Sequence, residues 1–210
     1  MSILILKTDL LEQASLLTRD GIYVRSPKNK VKLVGLINDC NAYYYMKRNK
    51  FSAALQYAMR AINASSKLAD WYNLSICQLH AGYILSKLRR RDDALDRMNS
   101  VLKYAELGHL NVERTSDNNA LHILLVAIAY HNIAVQMVLN EKISQACINS
   151  QNARRLLKLC LNYGNVYVNN FESTHRICLD RLMTLSSGTK KQSNEDLKRL
   201  FENLVRELYD

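Results

Sequence analysis

One spacing of small and large apolar residues occurs three times in this chain, and it restricts the fold more than any other feature. Ala42, Tyr45, Phe51, Ala54, Ala58 and Ala61 are separated by 3, 6, 3, 4 and 3 residues. Ala134, Met137, Ile143, Ala146, Ser150 and Ala153 follow the same steps. So do Gly82, Leu85, Arg91, Ala94, Met98 and Val101, with Arg91 standing where an apolar residue is expected. Steps of 3 and 4 keep to one face of a helix. Each set therefore spans a pair of helices, with the step of 6 crossing a short connection such as Asn49-Lys50 or Asn140-Glu141. A small residue in each helix lets two backbones cross closely, while the large residues fill the space toward the next pair.

Composition agrees with an all-α chain. There is one proline and there are six glycines in 210 residues, too few for the many turns of a sandwich or barrel. The hydrophobic fraction is 48%, which argues against intrinsic disorder. Caps, breakers and periodicity predict helices over 3 or 9 to 19, 31–48, 51–67, 70–88, 92–107, 119–139, 142–163 and 166–185. Ser26-Pro27-Lys28-Asn29-Lys30 reads as an exposed basic loop, and 108–117 as a polar one. After a linker, Ser193 or Asn194 opens a last amphipathic helix with Leu197, Leu200, Phe201, Leu204 and Leu208 on one face. Three regions result: 1–35 (N-terminal helix and basic loop), 36–185 (helical repeats) and 186–210 (linker and amphipathic helix).

The paired helices resemble the tetratricopeptide repeat, whose signature places a small residue, an aromatic and then A-x-x-x-F in the second helix. The likeness is closest over 38–61 and 130–153. It departs in lacking the closing proline and in its long period: Ala54 and Ala94 are 40 residues apart and Ala94 and Ala146 are 52, against about 34 in the standard unit. Long units of this kind resemble those of kinesin light chains and the spindle-orientation adaptors. The resemblance implies a right-handed superhelix of antiparallel hairpins, a non-catalytic protein-interaction scaffold. The first helix of each pair would line a concave groove, with Asp39, Tyr43 and Lys47 from the first pair. Leu79, His80, Tyr83 and Lys87 would come from the second, and His131, Asn132 and Val135 from the third. Tyrosines interleaved with lysines suit an acidic or amphipathic segment of a partner protein, and Asn132 stands where it would meet a ligand's backbone amide. The cationic clamp of the chaperone-binding members is missing, since Asp39, Tyr43, His80, Ile128 and Asn132 occupy its positions.

Net charge is +10 and uneven, with 17 Lys/Arg against 8 Asp/Glu over 1–105 and 12 against 11 over 106–210. Arg25, Lys28, Lys30, Lys32, Arg89, Arg90 and Arg91 form the expected basic face. Such a face favours an acidic partner and leaves open a nucleic-acid-binding helical repeat. A third reading is an architectural subunit of a cytoskeletal assembly, joined to other copies through the last helix. Residues 118–140 contain no Lys, Arg, Asp or Glu and approach the length of a membrane span, yet His122, His131, Asn132 and Gln136 fit a buried core helix better.

Five scattered cysteines and too short an N-terminal apolar run for a secretory signal point to reduced thiols and a cytoplasmic setting, with cytoskeletal association as one option. The five histidines show no metal-ligand spacing, and no phosphate-binding glycine motif or nucleophile elbow occurs. No enzyme activity, metal or cofactor is expected.

Overall fold

A computed structural model describes residues 11–16, 26–110, 119–162 and 164–188. The predicted N-terminal helix lies outside these residues except for 11–16. Arg25, most of the 108–117 loop, the linker beyond 188 and the amphipathic helix after 193 lie outside as well. Among the described residues the chain is all-α and has no strand. Helix α1 covers 11–16. It is followed by α2 (Pro27–Lys47), α3 (Phe51–Lys67), α4 (Trp71–Lys87), α5 (Arg91–Glu106), α6 (Asn119–Leu139), α7 (Ile143–Cys160) and α8 (Val166–Gly188).

Two expectations need correction here. Residues 27–30 are not a loop but the first turn of α2, with Pro27 at its start. A proline has no N–H to lose there, and its fixed φ suits the helix, so it opens α2 rather than breaking it. The boundary drawn at 35/36 falls inside α2, so Lys28, Lys30 and Lys32 belong to the first hairpin.

One turn recurs five times among the described residues: Gly108 takes φ of 72° and the His109 amide reaches the Tyr104 carbonyl (2.8 Å). Asn49, Ala69, Arg89 and Glu141 also take left-handed φ, at 57°, 50°, 62° and 60°. The amide that follows each of them reaches back five residues: Lys50 to the Tyr45 carbonyl (3.0 Å), Asp70 to Ser65 (3.1 Å), Arg90 to Leu85 (3.0 Å) and Lys142 to Met137 (2.9 Å). This is the Schellman closure, and it reverses the chain in three residues. The helices these turns join are thus antiparallel. Helices α5 and α6 are antiparallel as well, since Leu95 and Met98 pack by Ile133 and Met137 while Val101 and Ala105 pack by Leu125 and Ala129, so α2, α4 and α6 run in one direction. Only Asn49 is a side chain that tolerates this φ well. Replacing exposed Ala69 with glycine is expected to stabilise the protein by roughly 0.5–1 kcal/mol, the relief of left-handed strain less the entropy glycine loses on folding. Thermal unfolding would show a rise of a few degrees, and a fall would refute the account.

Each helix packs chiefly on its neighbours in sequence, and α2 touches α4, α4 touches α6 and α6 touches α8. The small residues sit in the hairpin interfaces: Ala42, Ala54, Ala58, Ala61, Ala134, Ala146 and Ala153 are fully buried. Gly82 holds the equivalent place in α4, against Met98 and Ala94 of α5. Arg91, the misfit in the repeat, turns outward and donates to the Leu139 carbonyl (2.8 Å) and to Asn140 Oδ1 (3.3 Å), so it satisfies the end of α6 from the start of α5. Helix α6 has the length and apolarity of a membrane span. In this fold Ile123, Val126, Ala127, Ala129, Ile133 and Ala134 of α6 are buried, and the helix packs against α4, α5, α7 and α8. All five cysteines are free, and burial pushes the Cys147 thiol up to about 12.

Candidate functional site

The side of the molecule formed by α2, α4 and α6 carries a groove of about 560 Å³. Its floor comes from Ile76 and Leu79 of α4 and Leu125 and Ile128 of α6; its edges come from Met46, Lys47 and Asn49 at the end of α2, His80 and Tyr83 of α4, and Asn132 of α6. The placement follows from helical spacing. Ile76, Leu79, His80 and Tyr83 step by 3, 1 and 3, and Leu125, Ile128 and Asn132 by 3 and 4, so each set lies along one stripe of its helix. Because α2, α4 and α6 run in parallel, the three stripes stand side by side.

Of the sequence-predicted residues, Lys47, Leu79, His80, Tyr83 and Asn132 line this one groove. Asp39 and Tyr43 join it through His80. The His80 Nδ1 lies 2.8 Å from Asp39 Oδ1, tying α4 to α2, and the Tyr43 ring centroid lies 6.0 Å from the imidazole. Lys47 Nζ sits 5.2 Å over the Tyr43 ring, and Lys87 Nζ sits 5.3 Å over the Tyr83 ring. The same Tyr–Lys step of four thus occurs on adjacent helices, and both tyrosines stay more than two-fifths exposed. Such a pair presents an apolar plate and a positive charge to the same ligand.

Two predicted groove residues stand elsewhere. His131 turns toward α8, where its ring stacks on Phe171 at 4.1 Å and its Nε2 lies 3.0 Å from Thr174 Oγ1. Burial, opposed in part by the contact with Asn132, holds its imidazole below the usual histidine range. His131 thus fastens α8 to α6. Val135 is half-buried and does not line the groove. The groove residues that sequence reasoning missed are Met46, Asn49, Ile76 and Leu125. Their stripe spacing could have found them, but as apolar or turn residues they read as core and connection.

The basic face divides into two groups. Lys28, Lys30 and Lys32 lie at the start of α2, where Lys32 reaches Asp70 at the start of α4 (3.6 Å). Arg89, Arg90 and Arg91 lie past the far end of α4, which is 17 residues long, so roughly 25 Å separates the groups. Arg90 is paired with Asp93 at 2.7 Å, and Arg91 caps α6. A single continuous patch is therefore not formed. The cations at the groove are instead Lys47 and Lys87, which stand over the Tyr43 and Tyr83 rings at the ends of α2 and α4.

No family model matches this sequence, and no curated protein matches it. Among solved structures it is similar to BtubC (BKLC) from P. vanneervenii, with a TM-score of 0.55 at 15% identity, over 90% of this chain and 79% of that one. At that identity the likeness is one of fold.

Proposed function

We propose that this chain is a tetratricopeptide-type solenoid that works as a non-catalytic adaptor. Its groove holds an acidic or amphipathic segment of another protein. The observation that carries this reading is the union of an apolar floor with two Tyr–Lys pairs on adjacent helices. Buried aromatic anchors supply most of the energy of such contacts, and the lysines choose the sign of the flanking charge. The superhelical arrangement is supported by five copies of one turn and by first helices that touch one another. Free cysteines agree with a reducing, cytoplasmic setting inside a larger assembly, cytoskeletal or other.

The triple variant Tyr43→Ala/Tyr83→Ala/Asn132→Ala is expected to lose at least about tenfold in affinity for captured partners, since one good aromatic anchor is worth about 2 kcal/mol. Quantitative pull-down against the wild type measures it. Unchanged recovery removes the groove from the account.

A second reading, binding of single-stranded nucleic acid, is favoured by one observation at the opposite edge. Tyr45 and Tyr57 stack at 5.3 Å and the Arg60 guanidinium lies 5.4 Å over Tyr57, beside a cavity of about 700 Å³ between α1 and the first hairpin. Stacked rings with arginines are what bases use. A salt titration with a generic RNA tests it: no binding at low salt rejects it.

A further inference from the structure

The groove and the opposite end of the helix series both leave apolar side chains open. Helix α8 buries Val168, Phe171, His175 and Cys178 against α6 and α7. Its outer face is mixed: Asn169, Ser173, Arg176, Asp180, Arg181 and Thr184 are exposed, and so are the apolar Val166, Tyr167, Ile177, Met183 and Leu185. Helix α8 is the last described element of the series and packs on α6 and α7 as a terminal unit does. The groove adds charge to exposed rings: Lys47 and Lys87 stand over Tyr43 and Tyr83, both exposed, above a floor in which Ile76 and Ile128 are half-buried and Leu79 and Leu125 buried.

The sequence contains a segment of matching chemistry. Residues 193–210 place Leu197, Leu200, Phe201, Leu204 and Leu208 at helical spacing. They carry five acids (Glu195, Asp196, Glu202, Glu207, Asp210) against three bases (Lys198, Arg199, Arg206), in a chain whose overall charge is +10. The topology brings this segment within reach. Helix α8 follows the antiparallel α6–α7 pair and runs in the direction of α4 and α6, so the chain leaves it at the end of the groove where Lys47 and Lys87 stand. Wall helices lie about 8–10 Å apart, which puts α4 roughly 20 Å from α8. Residues 189–194, extended, span about 20 Å.

We infer that the chain's own segment 193–210 occupies the groove of α2, α4 and α6, with its apolar stripe on the Ile76–Ile128 floor and its acids against Lys47 and Lys87. The inference rests on the groove's being a binding site, and it adds a competitor that any partner must displace. A tethered segment acts at a high effective concentration, so it masks the site from a ligand of moderate affinity.

A fluorescently labelled peptide of residues 193–210 tests this with full-length protein. Wild type is expected to bind it at least about tenfold more weakly than the Leu200→Glu/Phe201→Glu variant, whose own segment cannot compete. Adding Tyr83→Ala/Lys87→Glu to that variant abolishes binding, with circular dichroism verifying the fold of each protein. Equal affinity of wild type and the Leu200→Glu/Phe201→Glu variant overturns the inference. So does binding that survives the groove substitutions but is lost with Ile177→Glu, which would make the segment an end cap on α8. Masking that grows with protein concentration, alongside a dimer in sedimentation, assigns the segment to a second copy and also overturns it. An acidic amphipathic peptide of unrelated sequence separates the two levels. If it binds through Tyr83 and Lys87 while 193–210 does not, only the self-occupancy falls; if neither binds, the groove reading falls with it.

Discussion

Gly82→Leu is expected to lower the unfolding free energy by about 3 kcal/mol, the upper end of what overpacking a core costs. A Cβ at this position would meet Met98 Cγ at 3.0 Å, Met98 Cε at 3.1 Å and the Ala94 carbonyl oxygen at 3.3 Å. The methionine end can swing away, but the carbonyl belongs to the backbone of α5 and cannot. Leucine adds three further carbons at the point where α4 and α5 cross. Relief would require the two helices to separate, and with them the interface that holds Ala94 and Met98, both buried. The gain in helix propensity over glycine, about 1 kcal/mol, offsets only part of this. Urea denaturation should show a midpoint lower by roughly 1–2 M. Gly164, which has nothing within 4 Å of an added Cβ, provides the control, and Gly164→Ala should leave the midpoint in place. A Gly82→Leu midpoint equal to wild type would contradict close crossing at this hairpin.

Acid is expected to weaken the α7–α8 joint well above the carboxylate range. His175 of α8 is 8% exposed and its Nδ1 lies 2.8 Å from Ser150 Oγ of α7. The Ser150 hydroxyl donates to the Cys147 carbonyl (2.9 Å), which leaves the imidazole Nδ1–H as donor to Ser150, a bond that either protonation state can make; it is burial that favours the neutral ring. Burial lowers its pKa to about 4, helped by the positive charges of Arg154 and Lys158 and opposed by Glu172. In the unfolded chain this histidine takes up a proton near pH 6.5. The sign follows: as pH falls from 6.5 to 4 the unfolded state binds a proton that the folded state refuses, so stability declines through that window and levels off below it. The loss attributable to His175 is about 3 kcal/mol.

His131, also held low by burial, acts in the same direction on the α6–α8 contact. The Glu172 carboxyl behaves differently. Burial would raise it, but the hydrogen bond from Arg154 (2.7 Å) and the Arg154 and Lys158 charges hold it below its ordinary value, so its contribution disappears only at lower pH. Chemical denaturation across pH 4–7 measures the slope, and His175→Gln should flatten it. An unchanged slope in that variant would remove His175 as the cause.

The hairpins were legible in the sequence because their chemistry is local. Alanine at 42, 54, 134 and 146 is demanded by the crossing of adjacent helices, and the crossing partners lie within one turn of each other in the chain. The error at 26–30 also has a local cause: proline ends helices and begins them, and only the turn geometry around it tells which. Arg91 looked like a defect because its purpose lies 48 residues away, at the Leu139 carbonyl. His131 was misplaced because α6 is apolar on nearly every side, so periodicity could not tell the face toward α4 from the face toward α8. Ile76 and Leu125 were passed over for the related reason that the floor of an apolar groove has the composition of a core.

The recurring three-residue joint has a mechanical consequence. Since each helix is fastened chiefly to its chain neighbours, a pull on the two ends loads the hairpins in series, like links sharing one tension. Yielding then proceeds link by link, and the weakest joint sets the force at which extension begins. A chain built this way can lengthen under load and shorten again without surrendering its whole fold at once.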